Sequence, residues 1–201
     1  MDTPPPPKKK RKHRLPTFLR EAEAQSLLAT AQAHVAKSTS QSKLRAAYMD
    51  LIIVLTGVNT GLRVAELCAL KIEELDLEQR TLIVMHGKGD KQRMVPIGPK
   101  LFHSLVAWIG DRKLGFVFTS PRGGKLAVRT VQTRMAALGK KAGLARKLHP
   151  HIFRHSFATR LLDRGANIRE VQELLGHASV ATTENYTHVA IDRLKKATDR
   201  L

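Results

Sequence analysis

The strongest β signal in this 201-residue sequence is a pair of runs, Thr81–Met85 and Gln92–Ile97, joined by His86-Gly87-Lys88-Gly89-Asp90-Lys91. Two β-prone runs around a short Gly-rich connection predict a hairpin. Phe116–Thr119 predicts one further short strand. The remaining apolar segments are spaced for helices. Leu19, Ala22, Leu27, Leu28, Ala31 and Val35 recur at roughly the 3.6-residue period, and Ser38–Ser42 breaks the pattern. Leu44 to Thr56 reads as a buried helix ended by Gly57-Val58-Asn59-Thr60-Gly61. Further helices are predicted over Val64–Leu70, Pro99–Ile109, Val128–Ala142, Pro150–Arg164 and Ile168–Leu175, the last ended by Gly176. A closing segment, Ile191–Leu201, puts Ile191, Leu194, Thr198 and Leu201 on one face. A chain with one hairpin among so many helices is α+β, mainly α, with a small antiparallel β-sheet.

Charge narrows the partners. Thirty-five Lys and Arg face 17 Asp and Glu, a formal net charge of +18. A field of that sign on a small protein favours a polyanion, and nucleic acid leads. Only six Phe, two Tyr and one Trp are present. A binder that stacks single-stranded bases on rings usually carries more, so double-stranded DNA gripped by its backbone is the better reading. The longest uncharged apolar stretch, Leu51–Leu62, falls short of the roughly 20 residues a membrane span needs, and no signal-peptide pattern opens the sequence. With Cys68 the only cysteine, an internal disulfide framework and a Cys-rich zinc site are both excluded. A cytoplasmic, nucleoid-associated protein is the expectation.

Residues 1–14, MDTPPPPKKKRKHR, differ from the rest. Four prolines cannot enter a helix interior, and Lys8, Lys9, Lys10, Arg11, Lys12 and Arg14 repel one another. The segment reads as a disordered, DNA-binding arm preceding a domain over residues 15–201. Its Pro-Lys-rich run also resembles a nuclear import signal, a reading ranked lower because such runs are common in DNA-binding tails.

Several polar residues stand where this skeleton does not need them. Arg63 follows Gly61-Leu62 at the mouth of a helix, and Lys88 sits between two glycines at the hairpin tip. His151 and Arg154, three apart on one helix, share a face. His177 follows Gly176, and Tyr186 lies nine residues on. Arginines orient phosphate oxygens bidentately, histidine moves protons near neutral pH, and tyrosine is a nucleophile once its proton is taken. Together they suit a phosphodiester. His149, His151 and His155 could be read as a metal cluster, but no cysteine or nearby carboxylate completes it. Neither a metal nor any other cofactor is expected.

Five segments carry a resemblance: Thr60-Gly61-Leu62-Arg63-Val64-Ala65-Glu66-Leu67, Gly87-Lys88-Gly89-Asp90-Lys91-Gln92-Arg93, Pro150-His151-Ile152-Phe153-Arg154-His155-Ser156-Phe157-Ala158-Thr159, Leu174-Leu175-Gly176-His177-Ala178-Ser179 and Thr182-Thr183-Glu184-Asn185-Tyr186-Thr187-His188. In order and spacing they resemble the motifs of tyrosine recombinases, closest to the Xer and phage-integrase branch. The resemblance implies that Arg63 and Arg154 clamp the scissile phosphate. Tyr186 would attack it to leave a 3′-phosphotyrosyl bond, and Lys88 would protonate the departing 5′-oxygen. His151 would assist proton transfer and His177 bond a phosphate oxygen, without ATP or metal. Lys91 and Arg93 are held as phosphate contacts and as alternative proton donors, and Glu66 as a helper pairing with neighbouring basic groups. The family's usual amino-terminal DNA-gripping domain is absent, so the chain is either a fragment or a minimal recombinase. Arg20 stands where a capping Ser or Thr is usual. The family also implies a homo-oligomer, a tetramer on paired sites, joined through the C-terminal segment, although that segment can equally pack in cis. The rivals are a catalytically silent DNA-binding protein and a topoisomerase IB-like relaxing enzyme.

Overall fold

The computed structural model describes residues 18–85, 92–176, 195, 196, 198 and 199. Lys8, Lys9, Lys10, Arg11, Lys12, Arg14, Lys88, Lys91, His177 and Tyr186 lie outside the described residues. Seven helices are described: α1 (Glu21–Ala36), α2 (Gln41–Thr60), α3 (Val64–Ala69), α4 (Pro99–Ile109), α5 (Val128–Lys141), α6 (Pro150–Asp163) and α7 (Ile168–Leu175). A short 3-10 turn leads from α3 into three strands, β1 (Leu75–Asp76), β2 (Thr81–Met85) and β3 (Gln92–Pro96). The mainly helical α+β class with a small antiparallel sheet is what forms.

Helix α2 organises the rest. Its 20 residues span about 30 Å, and from Asp50 to Thr60 every one is buried. A helix apolar all round must be surrounded, and α1, α4 and α6 pack around this one. Gly57 does not end it, contrary to the sequence expectation. A Cβ there would lie 2.9 Å from Cδ2 of Phe153 and 3.1 Å from its Cγ. The glycine makes room for the ring of α6 rather than breaking the helix. The true stop is Gly61, whose φ of +62° is a left-handed cap that glycine adopts without penalty.

The sheet order is β1-β2-β3, all antiparallel, with Leu82 opposite Val95 and Val84 opposite Arg93. Leu82, Val84 and Val95 face the core. Strand β1, two residues long, is too short to leave a periodic signal. Phe116–Thr119 makes isolated bridges only, Lys71 with Phe116 and Thr119 with Lys125. Val117 and Phe118 are both fully buried.

Helix α1 begins at Arg20, whose side chain caps nothing. Glu23 compensates by accepting the Arg20 backbone N–H at 2.8 Å. The Leu19 N–H donates to Ser156 Oγ at 2.7 Å, fastening α1 to α6. Helix α7 has a reciprocal cap: Asn167 accepts from the Arg169 N–H, and Glu170 accepts from the Asn167 N–H, both at 2.9 Å. Near the C-terminus, Asp199 pairs with Arg80 at 3.2 Å, and Lys195 donates to Gln79.

Candidate active site

The left-handed turn at Gly61 sends the chain out of α2, buries Leu62 as a plug and brings Arg63 to the surface as the N-cap of α3. Arg63 is 43% exposed, while the Glu66 beside it is 11% exposed. Glu66 accepts the Arg63 backbone N–H at 2.7 Å on one oxygen and the Arg63 guanidinium at 2.8 Å on the other. From the far side Arg93 donates to the same two oxygens, at 3.0 and 2.7 Å. The pairing with neighbouring basic groups expected of Glu66 is what forms.

Arg154 arrives from α6, directly after the Phe153 ring that Gly57 admits. It is half-buried and donates to the Gly61 carbonyl at 2.9 Å and to the Leu175 carbonyl. Arg93 donates to the carbonyl of Leu174 at 2.7 Å, and Arg63 reaches that of Gly176 at 3.4 Å. Three successive carbonyls at the end of α7 thus receive three different arginines. That end carries the negative pole of the helix dipole and its unsatisfied acceptors, so it is a natural cation holder. Gly176 closes it with φ +65°.

Around Glu66, then, the guanidiniums of Arg63 and Arg93 share one carboxylate, and Arg154 lies close enough to feel its charge. Burial works to raise the Glu66 carboxyl, but the hydrogen bond and charge of Arg93, with the bonds from Arg63, hold it down to about 2. Burial, then the charges of Arg63 and Arg93, lower Arg154 to about 10 against the opposing pull of Glu66. With three guanidiniums against one carboxylate, the cluster carries a surplus of two positive charges. A phosphate is the anion such a surplus suits.

His151 is exposed, three residues before Arg154, and shares with it a cavity of about 570 Å³ also lined by His149, His155 and Gln172. Burial and then the neighbouring His151 lower the His149 pKa. His155 also meets Phe18 edge-on, 6.1 Å between centroids. Among the described residues, no group of three His, Cys, Asp or Glu is placed to hold a metal, and no helix is long and apolar enough to cross a membrane.

One sequence expectation needs correcting. Arg93, read as a phosphate contact or a proton donor, is 3% exposed and donates to Leu174 and Glu66. On β3 it alternates inward with Val95, while Gln92 faces out. The strand period could have exposed this, because residues two apart share a face. The main-chain acceptors at Gly61 and Leu174–Gly176 were not anticipated. Only the glycines at positions 61 and 176, flagging helix ends, hinted at them.

Residues 17–193 match the model of the phage integrase family. The tyrosine recombinase XerC of Bacillus pumilus (strain SAFR-032) is 39% identical over 198 residues, which cover 93% of this chain and 62% of that protein. The crystal structure of XerA recombinase matches with a TM-score of 0.70 at 35% identity, covering 91% of this chain and 65% of that one. XerH bound to its difH substrate before cleavage matches with a TM-score of 0.69 at 27% identity, over 92% and 51% respectively. The match spans between 44% and 62% of the length of the curated relatives.

Proposed function

The chain belongs to the phage integrase family, and we propose that it is the catalytic part of a site-specific tyrosine recombinase that cleaves and rejoins double-stranded DNA. One observation carries this reading: Arg63 and Arg154, from two elements 91 positions apart in sequence, are brought to one helix end with a local excess of positive charge. Fixed donors aimed at an anion stabilise the charge that develops as a phosphoryl centre becomes five-coordinate, and they need no reorganisation during the step. Arg63 and Arg154 would hold the non-bridging oxygens. The Tyr186 hydroxyl would attack phosphorus, giving up its proton with the help of His151, while the P–O5′ bond breaks. The leaving 5′-oxygen would take a proton from Lys88, and His177 would bond a phosphate oxygen. The phosphotyrosyl ester keeps the bond energy, so attack by a 5′-hydroxyl of a partner strand reseals the DNA without ATP or metal. Lys91 and the basic residues 8–14 would contact the DNA backbone. A cytoplasmic enzyme assembling as a tetramer on paired sites, joined through the C-terminal segment, completes the proposal.

The test uses a nicked duplex that loses its 5′-hydroxyl fragment on cleavage and so traps the covalent adduct. The chain becomes linked to a DNA 3′ end in excess EDTA. Tyr186→Phe abolishes the adduct and leaves binding nearly intact. An adduct that persists in Tyr186→Phe, or maps to Tyr48, overturns the assignment. Plasmid relaxation measured beside two-site recombination separates strand exchange from simple relaxing activity.

A further inference from the structure

We infer that Arg93 is a positioning residue for the arginine clamp: through Glu66 it sets where Arg63 points, and through the Leu174 carbonyl it fixes the end of α7 against β3. The inference rests on the reading of Arg63 as a phosphate ligand.

The bonding pattern carries it. Each oxygen of Glu66 accepts once from Arg63 and once from Arg93. Oε1 takes the Arg63 guanidinium at 2.8 Å and Arg93 at 3.0 Å; Oε2 takes the Arg63 backbone N–H and Arg93, both at 2.7 Å. The Arg93 contact is the two-pronged arginine–carboxylate fork, which fixes orientation as well as distance. Its third direction, Nε, ends on Leu174 at 2.7 Å. A residue 3% exposed, with its fork on one element and its Nε on another, has one orientation available. Arg63, at 43% exposure, does not. Its guanidinium is held chiefly by the Glu66 carboxylate at 2.8 Å, so where it points depends on what keeps that carboxylate still.

Charge gives Arg93 a second effect. A lone Glu66 beside Arg63 would neutralise the cation meant for the phosphate and draw it inward. Arg93 takes half of each oxygen's capacity and supplies a compensating charge, so Arg63 stays tethered yet electrostatically available. Lysine cannot substitute, because a single ammonium cannot span two carboxylate oxygens and a carbonyl in one plane.

The experiment uses the full chain and the trapping duplex, with Arg93→Lys, Arg93→Met, Glu66→Gln and the Arg93→Met/Glu66→Gln double variant. Single-turnover adduct formation, DNA affinity and thermal unfolding are measured for each, with rates taken well below the melting point. Arg93→Lys and Arg93→Met should each slow adduct formation by about 10- to 100-fold, the size of loss typical when a supporting partner of a reactive group is removed. DNA affinity should stay within about threefold. The double variant should be no more than about threefold slower than the slower single, because two residues acting through one link are not additive. If Arg93→Met fails to fold, Arg93→Lys decides the matter alone, since it keeps the buried charge and loses the fork and the simultaneous bond to Leu174. Cleavage by Arg93→Lys at the unsubstituted rate, losses that multiply in the double variant, or a loss confined to affinity would each overturn the inference. No adduct from the unsubstituted chain would instead overturn the recombinase reading.

Discussion

Replacing Gly61 by Ala tests stability and chemistry at one position. Two costs add. An L-residue at φ +62° carries about 1–2 kcal/mol of left-handed strain. The new Cβ would also lie 2.5 Å from Cδ1 of Phe157 and 2.9 Å from Cδ2 of Leu175, both buried side chains. Relieving such overpacking costs about 1–3 kcal/mol. Together these make about 2–5 kcal/mol, out of the 5–15 kcal/mol that stabilises a typical domain. With a urea slope of about 2 kcal/mol per molar, the midpoint falls by about 1–2.5 M. The same shift disturbs both carbonyls that hold Arg154, one belonging to Gly61 and the other to Leu175. Misplacing a reactive group by an ångström can cost on the order of 100-fold, so adduct formation per folded molecule should drop at least tenfold. Urea melts and single-turnover trapping measure both effects. A Gly61→Ala chain within about 0.5 kcal/mol of wild type, or one that cleaves at the wild-type rate, refutes the reasoning.

Other outcomes are equally specific. Gly57→Ala should destabilise: the helix-propensity gain of up to about 1 kcal/mol is outweighed by the Phe153 contact at about 1–3 kcal/mol, and in a Phe153→Ala background the same substitution should become stabilising in urea melts. The Glu66 carboxyl is held at about 2 against 4.5 unperturbed. Its contribution is therefore complete above pH 4.5 and lost as pH falls through about 2. Chemical denaturation across that range should show the stability gap between wild type and Glu66→Gln constant above pH 4.5 and closing below it. Deleting residues 1–14 removes six Lys or Arg. At roughly 0.9 per phosphate contact, the slope of log affinity against log salt should fall by a few units, with adduct formation at saturating DNA unchanged; an unaltered slope means the tail does not touch DNA.

Much of the skeleton was legible where proline and glycine punctuate it. Pro99–Ile109 and Ile168–Leu175 match the sequence reading to the residue, because Pro sits at a first turn and Gly follows a last one. Gly57 misled for the same reason that Gly61 informed. A glycine marks either a turn or a close approach, and only the distant Phe153 decides which. The two-residue β1 and the bridged segment at 116–119 depend on pairing partners far along the chain, so no local window contains them. Within the site, Arg63 and Arg154 were legible as residue types in motifs, and Glu66 as their helper. The oxygens that hold the arginines were not. They belong to the main chain, where every residue offers the same carbonyl, and only the fold selects Gly61, Leu174, Leu175 and Gly176. Arg93 was misassigned because a basic residue beside a hairpin suggests surface, whereas the strand's alternation points it inward.

Helix α7 is eight residues long, too short to persist in water by itself. It holds its shape through Val171, Leu174 and Leu175 against the core. Proteins open locally at free energies at or below that of global unfolding, in units that often coincide with single elements. An opening confined to α7 would leave α2, α4 and α6 packed, yet it would scatter the acceptors of Arg63, Arg93 and Arg154 together. Were α7 to let go before the rest, heat would reach the site through one small helix, and the ceiling on working temperature would lie below the temperature at which the protein melts.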